Sequence, residues 1–157
     1  MFTTDIERGI DSNLYSRQLP VYGFNGLKRI SITDVLIVGL KGVGVEIAKN
    51  IILSGVRSVT IHDEDLVTVA ELTSQFYLAE NDIGRKITDS CVFQHLAALN
   101  PKVKVSAVSS ALDEKFLSQF KVVILTDGKS VEELIRIDEI CRKYSSYLVV
   151  ADTKGVF

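Results

Sequence analysis

A strand, a glycine-rich turn and the start of a helix follow one another between Asp34 and Glu46, and this unit constrains the fold most. Val35 to Val38 form the predicted strand, and the helix is predicted to begin near Val43. Units of this kind open dinucleotide-binding α/β folds, in which glycines let the backbone approach a pyrophosphate at the helix N-terminus. The sequence therefore predicts a nucleotide-binding scaffold.

The glycine spacing in this turn differs from that of a working dinucleotide site. Gly39, Gly42 and Gly44 give G-x-x-G-x-G, whereas the binding pattern is G-x-G-x-x-G. Lys41 therefore occupies the position where a second glycine would allow close approach to phosphate. We expect a nucleotide-binding scaffold whose phosphate position is filled by a long side chain.

Predicted strands and helices alternate along the rest of the chain, as in a doubly wound domain. The strands are short and rich in Val, Ile and Leu, which suits a parallel sheet covered on both faces. Strands are predicted at 34–38, 57–62, 103–108, 121–126 and 147–152, and helices at 43–54, 84–99, 113–119 and 130–145. The predicted fold class is α/β, with a Rossmann-like, mostly parallel sheet and helices on both faces.

A segment before the sheet lies outside this alternation. Residues 11–30 predict two short helices and carry Arg17. We divide the chain into an N-terminal helical segment, 1–30, and a Rossmann-like unit, 31–157. The chain ends at Phe157, soon after its fifth predicted strand, and the sheet edge left there indicates a fragment or a subdomain.

Composition argues against several classes of function. The net charge is -2, the pI is near 5.7 and no basic run is present, so a nucleic-acid ligand is not expected. No apolar run approaches the roughly 20 residues of a membrane span. Cys91 and Cys141 fall in different predicted helices and are expected to be buried free thiols. His62 and His95 have no ligand partner at metal spacing, so a zinc site is not expected.

Two aspartates at strand ends are candidate ligand-binding residues. Asp63 follows the second predicted strand, nineteen residues after Gly44, where an acid would bind a ribose hydroxyl. Asp127 follows the fourth predicted strand, where a magnesium-side or phosphate-side carboxylate would lie. Both have a purely structural alternative, because Asp63 can cap a turn and Asp127 precedes Gly128 in a typical turn pair.

Arg17 is a candidate phosphate-binding cation on the N-terminal segment. Such an arginine is usually a solvated surface charge, but its planar fork can also stabilise a transferring phosphate in a partner's site. The pair Arg85-Lys86 has the same two interpretations. No G-x-S-x-G or G-x-x-x-x-G-K-[ST] motif is present in the sequence, so any chemistry requires residues from beyond this chain.

Five motifs resemble, in order, the N-terminal part of the ubiquitin-activating enzymes, and the resemblance extends from about residue 11 to 157. They are Leu14 to Gln18, Gly39 to Gly55, Leu72 to Leu78, Asp82 to Gly84 and Val149 to Thr153. The resemblance implies one of two fused ThiF/MoeB-like adenylating halves. The active half binds ATP and magnesium and adenylates the ubiquitin C-terminus, which then passes to a cysteine as a thioester, whereas the N-terminal half is silent.

This chain resembles the silent half. Lys41 replaces a glycine of the active turn, Glu71 and Ser74 replace its asparagine and arginine, and Ile87 replaces its lysine. Neither cysteine matches the thioester-forming cysteine. The resemblance thus implies that no cofactor binds this chain tightly, and that its glycine turn is degenerate.

The resemblance also implies roles for three charged residues. Asp63 and Asp127 match the ribose-binding and metal-side acids and are interpreted as vestigial, since acids without the cations would repel a triphosphate. Arg17 would reach across a pseudo-dimer to ATP in the active half. The implied partners are that half, ubiquitin and, indirectly, ubiquitin-conjugating enzymes. The implied location is the cytoplasm and nucleus.

Three other interpretations are open at this point. The nearest is the small subunit of a SUMO- or NEDD8-activating heterodimer, although Leu72 to Leu78 resembles the ubiquitin type more closely. A nicotinamide-dependent oxidoreductase domain is opposed by Lys41 and by the lack of a proton-transfer residue at the strand ends. The third is an interaction module with no link to ATP.

Overall fold

The computed structural model describes residues 11–153, apart from the side chain of Cys91. Its centre is a five-stranded parallel sheet with the strand order β3-β2-β1-β4-β5. The strands are β1 (Asp34–Val38), β2 (Ser58–His62), β3 (Lys104–Val108), β4 (Val122–Leu125) and β5 (Tyr147–Val150). Each lies within two residues of its predicted bounds, and the predicted α/β, Rossmann-like class is confirmed.

Six α-helices accompany the sheet within the described residues. They are α1 (Leu19–Ser31), α2 (Gly42–Ser54), α3 (Val69–Ser74), α4 (Cys91–Leu99), α5 (Glu114–Leu117) and α6 (Val131–Lys143). Short 3-10 turns cover residues 80–82 and 87–89. As predicted, α2 ends at Gly55, which adopts the left-handed conformation with φ 84°.

The prediction of one helix over 84–99 is wrong in its first half. Gly84 has a φ of 83°, which a helix interior does not contain, and Lys86 pairs with Leu66 in an antiparallel bridge. The α-helix begins only at Cys91, where the Ser90 hydroxyl accepts a hydrogen bond from the Val92 amide at 3.3 Å. Residues 84–90 instead fold back along the segment that follows β2.

Alternation along β1 divides the core between the two faces of the sheet. Val35 and Ile37 join one buried cluster with residues of α2 and α4, while Leu36 and Val38 join another with residues of α5 and α6. All four side chains are at most 2% exposed, so a central strand buried on both faces accounts for the continuous apolar run. Cys141 lies in the second cluster as a buried free thiol, and burial raises its pKa.

The N-terminal segment packs at the amino-terminal edge of the sheet, opposite the glycine-rich turn. Residues 12–18 form turns that lead into α1, and Gly23, with φ 66° and ψ 171°, kinks this helix into two pieces. Leu27 is buried, which anchors the second piece. Residues 1–10 of the predicted segment, and the chain end at Phe157, lie outside the described residues.

No helix within residues 11–153 has both the length and the apolar composition of a membrane span. Within the same residues, no group of three or more His, Cys, Asp or Glu side chains could hold a metal ion.

Candidate functional site

The glycine-rich turn lies at the carboxyl edge of the sheet, at the point where the strand order reverses. β2 flanks β1 on one side and β4 flanks it on the other, so the turn after β1 faces the end of β4. Open α/β sheets bind ligands at such a crevice. An open cleft of about 490 Å³ occupies it here, lined by Lys41, Gly42, Val43, Asp65, Ser74, Thr126, Asp127, Gly128, Lys129, Asp152 and Thr153.

All three glycines of the turn are needed for packing. Gly39 has a φ of 92°, and a Cβ there would overlap the Asp127 carboxylate and lie 2.6 Å from Thr126 Oγ1. A Cβ on Gly44 would overlap the Gly39 carbonyl, and one on Gly42 would lie 2.9 Å from the Ser74 carbonyl oxygen. The turn therefore packs directly against the end of β4 and the end of α3.

Lys41 fills the position of the missing glycine and is already paired. Its ammonium lies 2.7 Å from a carboxylate oxygen of Asp65, with 43% of the lysine side chain exposed. The hydrogen bond with Asp65 raises the Lys41 pKa, and the nearby charges of Asp127 and Glu71 act in the same direction. A phosphate at this turn would meet a cation that already has a carboxylate partner.

The structure directs Asp63 into the protein rather than towards a ligand. Its side chain is 2% exposed, and its two oxygens accept hydrogen bonds from the amides of Leu40, at 2.6 Å, and Asp65, at 2.8 Å. Burial raises the pKa of this carboxyl, and the two backbone hydrogen bonds oppose that rise. Asp63 thus ties the glycine-rich turn to the loop after β2.

Asp127 lines the cleft but turns one oxygen away from it. Its Oδ1 atom is buried against Gly39 without a hydrogen-bond partner among the described residues. Burial raises the pKa of the Asp127 carboxyl, while the charges of Lys129 and Lys41 lower it. The carboxylate is therefore an unfavourable neighbour for a further anion.

Two residues that sequence reasoning missed hold the turn in place. The Thr126 hydroxyl lies 3.0 Å from the Val38 carbonyl oxygen and 2.8 Å from that of Gly39, and donates to this pair. Gln75 is 2% exposed, and its side-chain amide donates to the Leu40 carbonyl. Neither residue type has a local pattern that identifies this role, although Gln75 lies within one of the motifs used for the family resemblance.

The other positions that depart from the active pattern have structural partners or lie away from the cleft. Glu71 caps α3 by accepting from the Thr68 amide at 2.9 Å, and the Thr68 hydroxyl lowers its pKa. Ser74 lines the cleft, and its hydroxyl donates to the Glu71 carbonyl oxygen at 3.4 Å. Ile87 is fully buried in the core, and Lys86 beside it is exposed and paired through its backbone with Leu66.

The charges of the described cleft residues disfavour a nucleoside triphosphate. Among residues 11–153, two lysines line the cleft, Lys41 and Lys129, against three carboxylates, Asp65, Asp127 and Asp152. A triphosphate needs more positive than negative charge around it, because each buried or half-buried carboxylate repels the phosphates. These residues offer the opposite balance, and one of the two lysines is engaged by Asp65.

Arg17 lies at the other end of the molecule. It is exposed and forms no hydrogen bond or ion pair within residues 11–153. Its neighbour Gln18 donates from its amide to the Leu53 carbonyl at 3.4 Å, near the C-terminus of α2. Since α2 spans 13 residues, about 20 Å at 1.5 Å per residue, the Arg17 guanidinium cannot reach the glycine-rich turn at its N-terminus.

Comparison with known proteins agrees with this architecture. Ubiquitin-like modifier-activating enzyme 1 of Homo sapiens is 50% identical over 152 residues, which is 96% of this chain and 14% of that protein. Ubiquitin-activating enzyme E1 1 of Arabidopsis thaliana is 43% identical over 150 residues, or 94% of this chain and 14% of that protein. The chain therefore spans about one seventh of the length of these relatives.

Solved structures share the fold at lower identity. The tRNA N6-threonylcarbamoyladenosine dehydratase TcdA of E. coli superposes with a TM-score of 0.73 at 21% identity, covering 88% of this chain and 59% of that one. The same enzyme has been solved in complex with ATP, with a TM-score of 0.72. The model of the ThiF family matches residues 15–156, almost the whole chain. This protein is accordingly a member of the ThiF family.

Proposed function

We propose that this chain is the catalytically silent adenylation half of a ubiquitin-activating enzyme. In the complete enzyme, the other half would adenylate the C-terminus of ubiquitin with ATP and magnesium, and the product would pass to a cysteine as a thioester. This half would act as a scaffold in the pseudo-dimer and donate Arg17 to the active half. The similarity to ubiquitin-activating enzymes over 96% of the chain supports this assignment.

The observation that carries the silent assignment is the Lys41–Asp65 ion pair across the glycine-rich turn. An adenylating site must leave the turn open to phosphates and supply cations for the developing charge. Here the close-approach position carries Lys41, whose ammonium is already bound at 2.7 Å. The buried state of Asp63 adds support, because its oxygens already accept two backbone hydrogen bonds.

The position of Arg17 supports its donation to another site. The residue lies about one helix length from the turn of its own chain, is exposed, and has no hydrogen bond or ion pair among residues 11–153. A planar guanidinium presented in this way can neutralise phosphate charge as the acyl-adenylate and pyrophosphate form. The partners would then be the active half, ubiquitin and, through the thioester, ubiquitin-conjugating enzymes, in the cytoplasm and nucleus.

ATP–pyrophosphate exchange tests both parts of the proposal. The isolated chain should catalyse no exchange with ubiquitin and should not bind ATP tightly by calorimetry. In the complete enzyme that contains this chain, Arg17→Ala should slow adenylate formation by on the order of 10³-fold, as for other arginines on transferring phosphate.

Arg29→Ala is the matched control, since Arg29 is also exposed and lies at the far end of α1. It should leave exchange unchanged. Exchange by the isolated chain would contradict the silent assignment, and an unaffected Arg17→Ala enzyme would contradict the donation. Exchange supported by SUMO or NEDD8 instead of ubiquitin would identify the rival modifier, and tight NAD binding would favour an oxidoreductase domain.

A further inference from the structure

Tyr15, two residues before Arg17, packs at the amino-terminal edge of the sheet. Its ring lies against Gly55, the left-handed residue with φ 84° that ends α2. A Cβ on Gly55 would overlap the Tyr15 hydroxyl and lie 2.6 Å from its Cζ atom. The phenol ring therefore lies directly against the backbone, where no residue other than glycine leaves room for it.

Asn100 holds the hydroxyl end of the same ring. This asparagine is 6% exposed, and its side-chain amide donates to the Ile52 carbonyl at 3.2 Å and to the Tyr15 hydroxyl at 3.4 Å. Its carbonyl oxygen accepts from the Lys102 amide at 3.2 Å. Because Asn100 is fixed from both sides, it gives Tyr15 a rigid partner between α2 and β3.

The turn that carries Arg17 is also fastened on either side of Tyr15. Asp11 accepts from the amides of Asn13 and Leu14, each at 3.1 Å, and forms an ion pair with Lys102. On the other side, Gln18 donates to the Leu53 carbonyl, and the Tyr15 carbonyl accepts from the amides of Gln18 and Leu19 at 3.0 and 2.9 Å. Arg17 is thus a side chain without a described partner on an anchored backbone.

We propose that Tyr15, seated between Gly55 and Asn100, is a positioning residue that fixes the direction in which Arg17 leaves the domain. The proposal rests on the donation of Arg17 to another half's ATP site. A guanidinium that must meet a phosphate in a second half loses its effect if its backbone moves by about an ångström, which can cost roughly 10²-fold in rate. The packing of Tyr15 against Gly55 and Asn100 restrains the backbone that carries Arg17.

The test measures ATP–pyrophosphate exchange by the complete enzyme with Tyr15→Ala, Tyr15→Phe, Arg17→Ala and the double variant Tyr15→Ala/Arg17→Ala. Tyr15→Ala should lower kcat by at least 10-fold with a smaller change in the KM for ATP. Tyr15→Phe should retain most of the wild-type rate, because the ring still packs against Gly55. The double variant should be no slower than Arg17→Ala alone, since Tyr15 acts through Arg17.

Tyr144→Ala is the matched control. Tyr144 is an exposed tyrosine whose hydroxyl donates to Glu114 at 2.8 Å, far from Arg17 in sequence, and its loss should leave exchange unchanged. A normal rate for Tyr15→Ala beside a slow Arg17→Ala would overturn the positioning role alone. A double variant slowed by the product of the two single effects would overturn it too, because Tyr15 would then act independently.

One outcome contradicts the proposed function and not the role of Tyr15: if Arg17→Ala leaves exchange unchanged, the donation of Arg17 itself is wrong.

Tyr15→Ala could also lower the yield of folded enzyme. In that case Tyr15→Leu, which keeps apolar bulk beside Gly55 but removes the ring, replaces it, and the same results support or overturn the role of Tyr15.

Discussion

Replacing Gly39 by alanine should destabilise this domain more than the same change at Gly44, Gly84 or Gly128. Gly39 combines a φ of 92° with a tight contact, because its Cβ would overlap the Asp127 carboxylate and approach Thr126 Oγ1 to 2.6 Å. The left-handed backbone costs a residue with a Cβ roughly 1–2 kcal/mol. Overpacking adds about 1–3 kcal/mol. We therefore expect Gly39→Ala to lower the free energy of unfolding by about 2–5 kcal/mol.

Three other glycines separate the two contributions. Gly84 has a φ of 83° with nothing within 4 Å, so Gly84→Ala should carry only the backbone cost of about 1–2 kcal/mol. Gly44 lies in α2 without a positive φ, so its alanine carries only the close contacts of its Cβ, with the Gly39 carbonyl and with Thr126 Oγ1 at 2.7 Å, offset by about 1 kcal/mol of helix propensity. Gly128 has neither feature, and Gly128→Ala should change stability by less than about 0.5 kcal/mol.

Urea unfolding of the four variants measures these differences, with one m-value, the dependence of unfolding free energy on urea concentration, used for all of them. The reduction in unfolded-chain entropy is the same for each Gly→Ala change and cancels between them. If Gly39→Ala were no less stable than Gly84→Ala, the turn could move away from β4 at little cost. The close packing inferred for the site would then be refuted.

Three further changes test the surroundings of the turn. Burial raises the pKa of Asp127 above its ordinary 3.8, so the folded state holds that proton to a higher pH than the unfolded state and loses stability as pH rises through this window. Asp127→Asn should remove the loss, so its stability relative to wild type should increase as pH rises above the ordinary carboxyl pKa of 3.8 in urea titrations; a difference that stays constant with pH would contradict this. Thr126→Val should cost about 1–3 kcal/mol of unfolding free energy by leaving the Gly39 carbonyl without its donor, whereas Thr126→Ser should cost less; equal losses would assign the effect to packing. Lys41→Met should change the unfolding free energy by less than about 1 kcal/mol, because both partners of its ion pair with Asp65 are about half exposed, and a larger loss would mean that the pair supports the turn.

The sequence predicted the central part of the fold well because its strands are short apolar runs. Each residue of β1 after Asp34 is buried on one face or the other, so composition alone indicates the strand. The region between β2 and α4 was less accessible to such reasoning. Its path depends on the left-handed Gly84 and on a single bridge from Leu66 to Lys86, neither of which leaves a periodic pattern.

At the candidate site, the sequence predicted where the two aspartates lie but not which groups their side chains contact. Asp63 and Asp127 were expected at the carboxyl edge, and both lie there. Their orientation could not be foreseen, since Asp63 turns inward to accept a hydrogen bond from the Leu40 amide, which lies far away in sequence. The capping box of α3, Thr68 with Glu71, was visible in the sequence and would have identified that helix.

The ion pair between Lys41 and Asp65 places a carboxylate of the same chain in competition with any anion that approaches the glycine-rich turn. Both partners belong to one folded unit and lie 2.7 Å apart, so the carboxylate faces the ammonium at an effective concentration on the order of millimolar or more. A free carboxylate that binds Lys41 no more strongly than Asp65 does must exceed that value before it displaces Asp65. An anion that reaches the turn must therefore compete with Asp65 for the Lys41 ammonium.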